Sequence, residues 1–100
     1  MIEVTVRVSF YELCHQERLE ENLVIDAVEY GIAEPVAGDE CTNWVFDTTG
    51  VYWLKKAVRL YYDLEIDWVA VAMLIDLLRE RETLRKQNDY LTRRLSTYVE

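Results

Sequence analysis

Between Asp67 and Tyr98 the chain contains neither proline nor glycine, and Leu77, Leu84 and Leu91 recur at seven-residue intervals with Tyr98 completing the series. That pattern predicts one long helix. With those residues at heptad position d, position a holds Leu74, Arg81, Asn88 and Leu95, a seam that is apolar at both ends and polar in the middle. At about 1.5 Å per residue the helix runs roughly 45 to 50 Å, more than a core this small can cover. Its distal half is therefore expected to pack against a second copy, with Leu77, Leu84, Asn88, Leu91, Leu95 and Tyr98 forming the seam of a homodimer. Asn88 costs stability there but penalises shifted registers, because its amide is left unpaired in every arrangement but one. A parallel pair, which sets Glu80 opposite Arg85 of the other chain, and an antiparallel pair, which brings Arg81 near Tyr98 or Leu95, both satisfy the pattern.

One hundred residues make a single domain, or a small domain with an oligomerisation helix, and 51% hydrophobic residues exclude a disordered chain. No basic segment precedes a long apolar run at the start, and the longest apolar stretch, Trp68 to Ile75, is too short to cross a bilayer. The expectation is a soluble cytoplasmic protein that does not engage a membrane. Cys14 and Cys41 are too isolated for a zinc site, and both are expected to be reduced, small, buried or half-buried residues.

The net charge of −8 is unevenly divided. Residues 1–50 carry eleven acids against Arg7 and Arg18, a balance of −9, whereas residues 51–100 carry eight acids and nine bases. A surface with the sign of the front half repels a phosphate backbone and attracts a basic protein face.

Along the chain, Ile2, Val4, Val6, Val8 and Phe10 alternate with Glu3, Thr5, Arg7 and Ser9, which predicts a strand with one buried face ending at Ser9. Ser9 and Glu12 have the spacing of a capping box, so a short helix from Phe10 to about His15 is expected. In a second helix Leu19, Leu23, Val24, Ala27 and Val28 share one side, and Gly31 is placed to end it. Two short helices joined by about three residues have helix-turn-helix spacing. The extended pieces Ile32–Val36 and Trp44–Phe46, joined by a polar loop through Gly38, Asp39 and Glu40, predict a hairpin, the wing that often follows such a pair. Asp47 or Thr48 caps a third helix with Val51, Leu54, Val58 and Tyr61 on one face, and Asp67 caps the last. Most aromatic residues are expected in the core, and Arg79 is expected to pair with Glu82.

This order of elements resembles the MerR-like winged-helix family. The segment Glu29-Tyr30-Gly31-Ile32-Ala33-Glu34-Pro35 is similar to that family's exit from its recognition helix. More specific are Trp44-Val45-Phe46-Asp47, Ala57-Val58-Arg59-Leu60, Leu64-Glu65-Ile66-Asp67-Trp68 and the terminal leucine-rich helix. Together they resemble the CbpM branch of chaperone modulators, over nearly the whole chain. Val69-Ala70 and the loop from Gly38 to Thr42 depart from that pattern. The resemblance implies a mainly α fold with a small β component: a winged helix-turn-helix domain over residues 1–65 and a long C-terminal dimerisation helix over residues 66–100. It also implies a chaperone modulator that binds the J-domain of a CbpA-type DnaJ-like co-chaperone. Such a modulator inhibits the co-chaperone's work with the DnaK chaperone and its DNA binding.

The residues agree with that reading. A DNA-reading helix needs Arg, Lys, Asn or Gln at base edges and further cations for phosphates. Here the second helix presents Glu20, Glu21, Asn22, Asp26 and Glu29 and has no Lys or Arg. A nucleic-acid partner is therefore not expected. A J-domain is understood to present a basic helix, so Glu21, Asp26 and Glu29, with the loop acids Asp39 and Glu40, are the expected contacts. The bland reading is that Glu20 and Glu21 complement the helix dipole and the rest solvate a surface. Lys55, Lys56 and Arg59 on the third helix either meet acids of the partner or balance the front half internally. The competing function is a MerR-type transcription regulator that senses a small molecule and binds promoter DNA as a dimer, which charge opposes. His15 has no ligand-spaced neighbours, there is no glycine-rich phosphate loop, and no nucleophile has a base and an orienter. No metal, cofactor or catalytic activity is expected.

Overall fold

The computed structural model describes residues 6–98. Within them the elements are a strand β1 (Arg7–Ser9), helices α1 (Phe10–His15) and α2 (Glu21–Glu29), and a 3-10 turn at Cys41–Asn43. A strand β2 (Val45–Asp47) and helices α3 (Thr48–Leu64) and α4 (Trp68–Tyr98) follow. The fold is mainly α with a small antiparallel sheet, as expected, and α4 is one unbroken helix of 31 residues.

Local chemistry accounts for most boundaries. Ser9 caps α1, accepting from the Glu12 N–H at 3.1 Å and donating to the Glu12 carboxylate at 3.3 Å. At the end of α2 the Gly31 N–H bonds the Val28 carbonyl and the Ile32 N–H bonds the Ala27 carbonyl, each at 3.0 Å. Those two bonds make a Schellman cap, with Gly31 supplying the left-handed backbone at φ 76°. The cap also turns Ile32 into the core. Asp47 caps α3 through the Gly50 N–H at 2.7 Å, and Asp67 caps α4 through the Ala70 N–H at 2.9 Å. The stop between α3 and α4 is made by Glu65 in the left-handed region at φ 52°, a position that glycine usually fills.

Two expectations about connections change. The part of the first strand from Ile2 to Thr5 lies outside the described residues. What is described pairs with β2, with Arg7 opposite Asp47 and Ser9 opposite Val45. The anticipated wing hairpin is reduced to one bridge between Ala37 and Val45. Ile32 and Ala33 are buried in the core and Pro35 has no N–H to offer, so this segment covers the hydrophobic centre instead of extending a ladder. The link between α1 and α2 spans residues 16–20, longer than expected. Leu19 bonds back to the Leu13 carbonyl at 3.2 Å, and Arg18 takes the turn at φ 57°.

The core is shared by every helix. Leu13 of α1, Val24 and Ala27 of α2, Phe46 of β2, Leu54 and Ala57 of α3, and Val71 and Ile75 of α4 are all fully enclosed. The first turns of α4 are thus part of the same hydrophobic cluster as the helix pair. Aromatic placement departs from expectation: Phe10, Phe46, Trp53 and Trp68 are buried, but six of the seven tyrosines are exposed, from 46% at Tyr52 to 76% at Tyr98. A tyrosine hydroxyl must keep a partner or water, and the helices here offer few buried acceptors, so the rings lie outside. Trp68 stacks on Tyr61 with ring centroids 4.7 Å apart. Arg79 also differs from expectation. It meets Asp76 at 3.8 Å and lies 5.1 Å over the Trp53 ring, while Glu82 accepts from the Tyr52 hydroxyl at 3.2 Å. Arg79 is drawn to the indole because the stacked guanidinium covers apolar surface that Glu82 does not.

Candidate partner-binding surface

α2 buries Leu23, Val24 and Ala27, and this fixes what it shows to solvent. At about 100° per residue the side opposite the core carries Asn22 and Glu29, with Glu21 and Asp26 on its two flanks, about 140° apart, while Ile25 is partly buried against the core cluster. Glu21 and Glu29 are exposed, whereas Asp26 and Ile25 are half-buried. Glu29 therefore lies on the outward ridge that Glu21 and Asp26 flank. Asn22 lies on it too and was not among the expected contacts. Its signal was the helical period itself, which places it between the flanking acids.

Asp39 and Glu40 are exposed on the loop that follows Gly38. The 3-10 turn directly after them packs against α1. Gly38 is required there, since its φ is +103° and an added Cβ would come 2.2 Å from the Asn43 carbonyl oxygen. The five expected contacts thus fall into two groups, three on α2 and two on this loop.

The remaining acids of the helix pair are occupied within the molecule. Glu17 receives Lys55 at 2.6 Å, and Glu20 accepts from the Tyr62 hydroxyl at 2.7 Å. That bond, followed by desolvation, holds the Tyr62 phenol above its ordinary pKa. α3 therefore ties down the turn of the helix pair through two side chains one heptad apart. Among the described residues, Glu21, Asp26, Glu29, Asp39 and Glu40 form no ion pair. Glu21 lies close enough to the half-buried Cys14 to matter electrostatically. Burial first, and then that carboxylate, push the thiol up.

α4 has two opposed faces. Trp68, Val71 and Ile75 pack inward, while Met73, Leu77, Leu84, Leu91, Leu95 and Tyr98 lie on the other side, between 57% and 76% exposed. Asn88 is exposed within the same stripe. Beyond Thr83 no residue of α4 is even half-buried among the described residues. Where α4 leaves the body, a groove of about 480 Å³ runs between it and the start of α3, with Trp53 on its floor and Glu34, Arg79, Glu82 and Lys86 on its walls. Acids and bases alternate around it, which suits no single ion. Among the described residues, no group of three His, Cys, Asp or Glu side chains is arranged to hold a metal, and no helix is long and apolar enough to cross a membrane.

The family model of MerR helix-turn-helix regulatory proteins matches residues 8–93. Among curated relatives, the chaperone modulatory protein CbpM of Pseudomonas entomophila is 37% identical over 95 residues, which covers 95% of this chain and 93% of the relative. The chain belongs to the CbpM family, within the MerR group. CbpM of Pseudomonas putida strain F1 is 35% identical over the same span, and CbpM of Citrobacter koseri is 33% identical over 99% of this chain and 97% of its own. The match runs through α2 and through α4 alike, so the acidic helix and the long terminal helix both lie in the family's common frame.

Proposed function

We propose that this protein is a chaperone modulator that binds the J-domain of a CbpA-type DnaJ-like co-chaperone and inhibits its co-chaperone and DNA-binding activities. It acts as a homodimer in the cytoplasm, without enzymatic activity. The acidic face of α2, carrying Glu21, Asp26 and Glu29, occupies the basic helix of the J-domain, and Asp39 and Glu40 add contacts from the loop before the 3-10 turn. The observation that carries this reading is the set of carboxylates on a recognition-helix scaffold that form no ion pair among the described residues. Each one near a duplex would repel phosphate, and each one near a basic helix would speed encounter and hold register. The relatives' name as chaperone modulatory proteins supports the same role. The apolar stripe of α4 supports dimer formation. Its last 15 residues, from Leu84 to Tyr98, have no cover of their own, and a helix of that length is marginal in water unless an apolar face is packed.

The decisive experiment titrates an isotope-labelled J-domain with this protein, wild type and Asp26→Lys with Glu29→Lys. The wild type should shift resonances of the basic helix and weaken as salt rises. The double variant should bind at least about tenfold more weakly while circular dichroism shows the fold intact, because reversing two charges at a desolvated contact removes more than about 1.4 kcal/mol. Equal binding by the variant places the contact elsewhere. A labelled promoter-length duplex titrated at low salt tests the DNA reading, and tight binding there defeats the charge argument.

A further inference from the structure

Beyond Lys55 and Tyr62, which hold the turn of the helix pair, the outer face of α3 has no role in the reading above. Tyr52, Lys55, Lys56, Arg59 and Tyr62 recur at i, i+3, i+4, i+7 and i+10, which places them together on the side opposite Leu54 and Ala57. Three of the cations in a chain of net charge −8 are thereby gathered on one ridge, beside two tyrosines that are 46% and 52% exposed. The Lys56 ammonium bonds the Tyr52 hydroxyl at 3.3 Å and lies 5.4 Å above its ring. A cleft of about 260 Å³ opens among Tyr52, Lys55, Lys56 and Arg59.

The chain's own acids show what this ridge attracts. Glu17 sits on Lys55, Asp63 reaches Arg59 at 3.7 Å, and Glu82 takes the Tyr52 hydroxyl. The Arg59 and Asp63 side chains are 83% and 64% exposed, so their pair is weak and open to exchange. Exposed tyrosine and arginine around a small cleft is the composition of a protein-binding hot spot. A duplex fits the ridge poorly: three cations clustered on one short ridge do not track a phosphate backbone, whose charge recurs about every 1.7 Å along the helix axis.

We infer that the outer face of α3 is a second docking surface, one that takes an acidic amphipathic segment of a partner protein. The segment's carboxylates meet Lys56 and displace Asp63 from Arg59, and one of its apolar side chains lies in the cleft against Tyr52. The surface is separate from the acidic face of α2 and of opposite sign, so the two are tested by different variants.

The test measures fluorescence anisotropy of a short labelled peptide of alternating Glu-Glu and Leu-Leu pairs against the full-length protein at low salt. Saturable binding is expected, weakened at least about tenfold by Lys56→Glu with Arg59→Glu and severalfold by Tyr52→Ser. Lys86→Glu with Arg93→Glu on α4 should leave it unchanged. Lys56→Gln with Arg59→Gln serves if the reversal variant does not fold by circular dichroism. Absence of saturation at millimolar protein overturns the proposal, and so does equal binding by the α3 variants, loss in the α4 variant, or tighter binding of a labelled DNA duplex than of the peptide.

Discussion

Removing two leucines from the stripe of α4 should separate the dimer, and the structure sets the size of the effect. Leu84 and Leu91 are each 57% exposed in the single chain, so roughly half of the 1.5 to 3 kcal/mol that a fully buried leucine contributes is still available to an interface, about 1 to 1.5 kcal/mol per side chain. Two such residues from each of two chains amount to about 4 to 6 kcal/mol. Leu84→Asp with Leu91→Asp forfeits that and adds the cost of desolvating four carboxylates, so the dissociation constant should rise by at least about a thousandfold. Sedimentation equilibrium reads the mass, and circular dichroism provides an independent check. A separated arm of 15 residues should also lose helical signal, because nothing then offsets its nucleation and ordering cost. A variant that remains dimeric at the wild-type concentration would refute the assignment of the interface to this stripe. A monomeric wild-type protein with full helicity to Tyr98 would refute the premise that the arm needs cover.

Four further substitutions probe the body. Gly38→Ala meets both a φ of +103° and the Asn43 carbonyl, so it should lower stability by about 1 to 3 kcal/mol in urea unfolding. Gly31→Ala has open space and only the backbone strain, and should cost less. Ile75→Ala leaves a cavity at a fully enclosed position shared by α4 and the helix pair, and should cost about 2 to 5 kcal/mol, measured as a lower denaturation midpoint at unchanged m. Cys14 should react with iodoacetamide more slowly than free glutathione at pH 8, since its raised pKa leaves less thiolate. Glu21→Gln should speed that reaction, and no acceleration would remove Glu21 from the thiol's neighbourhood.

The candidate site was legible in part. The absence of Lys and Arg from α2 is a one-dimensional fact, and among the described residues the carboxylates of Glu21, Asp26 and Glu29 form no ion pair. Which acids remain free was not legible. Glu17 and Glu20 read like their neighbours until α3 brings Lys55 and Tyr62 across to them, over separations of 38 and 42 residues. Asn22 was legible as part of the presented face, but a neutral side chain does not stand out among the acids around it.

What the order of amino acids determined by itself is everything that rests on neighbours in the chain. Ser9, Asp47 and Asp67 cap helices because their oxygens reach amides three residues away, Gly31 ends α2 because it alone adopts left-handed backbone without strain, and the heptad of α4 repeats on one face whatever surrounds it. What only the tertiary structure decided is where a residue had several acceptable partners. β2 pairs along its length with β1 and only at Val45 with the segment before it, because Ile32 and Ala33 were needed to close the core. Arg79 chose the Trp53 ring and Asp76 over Glu82, and the tyrosines went outward for want of buried acceptors. Those choices compare energies of contacts distant in sequence, and each is settled by how much apolar surface the assembled core can cover at once.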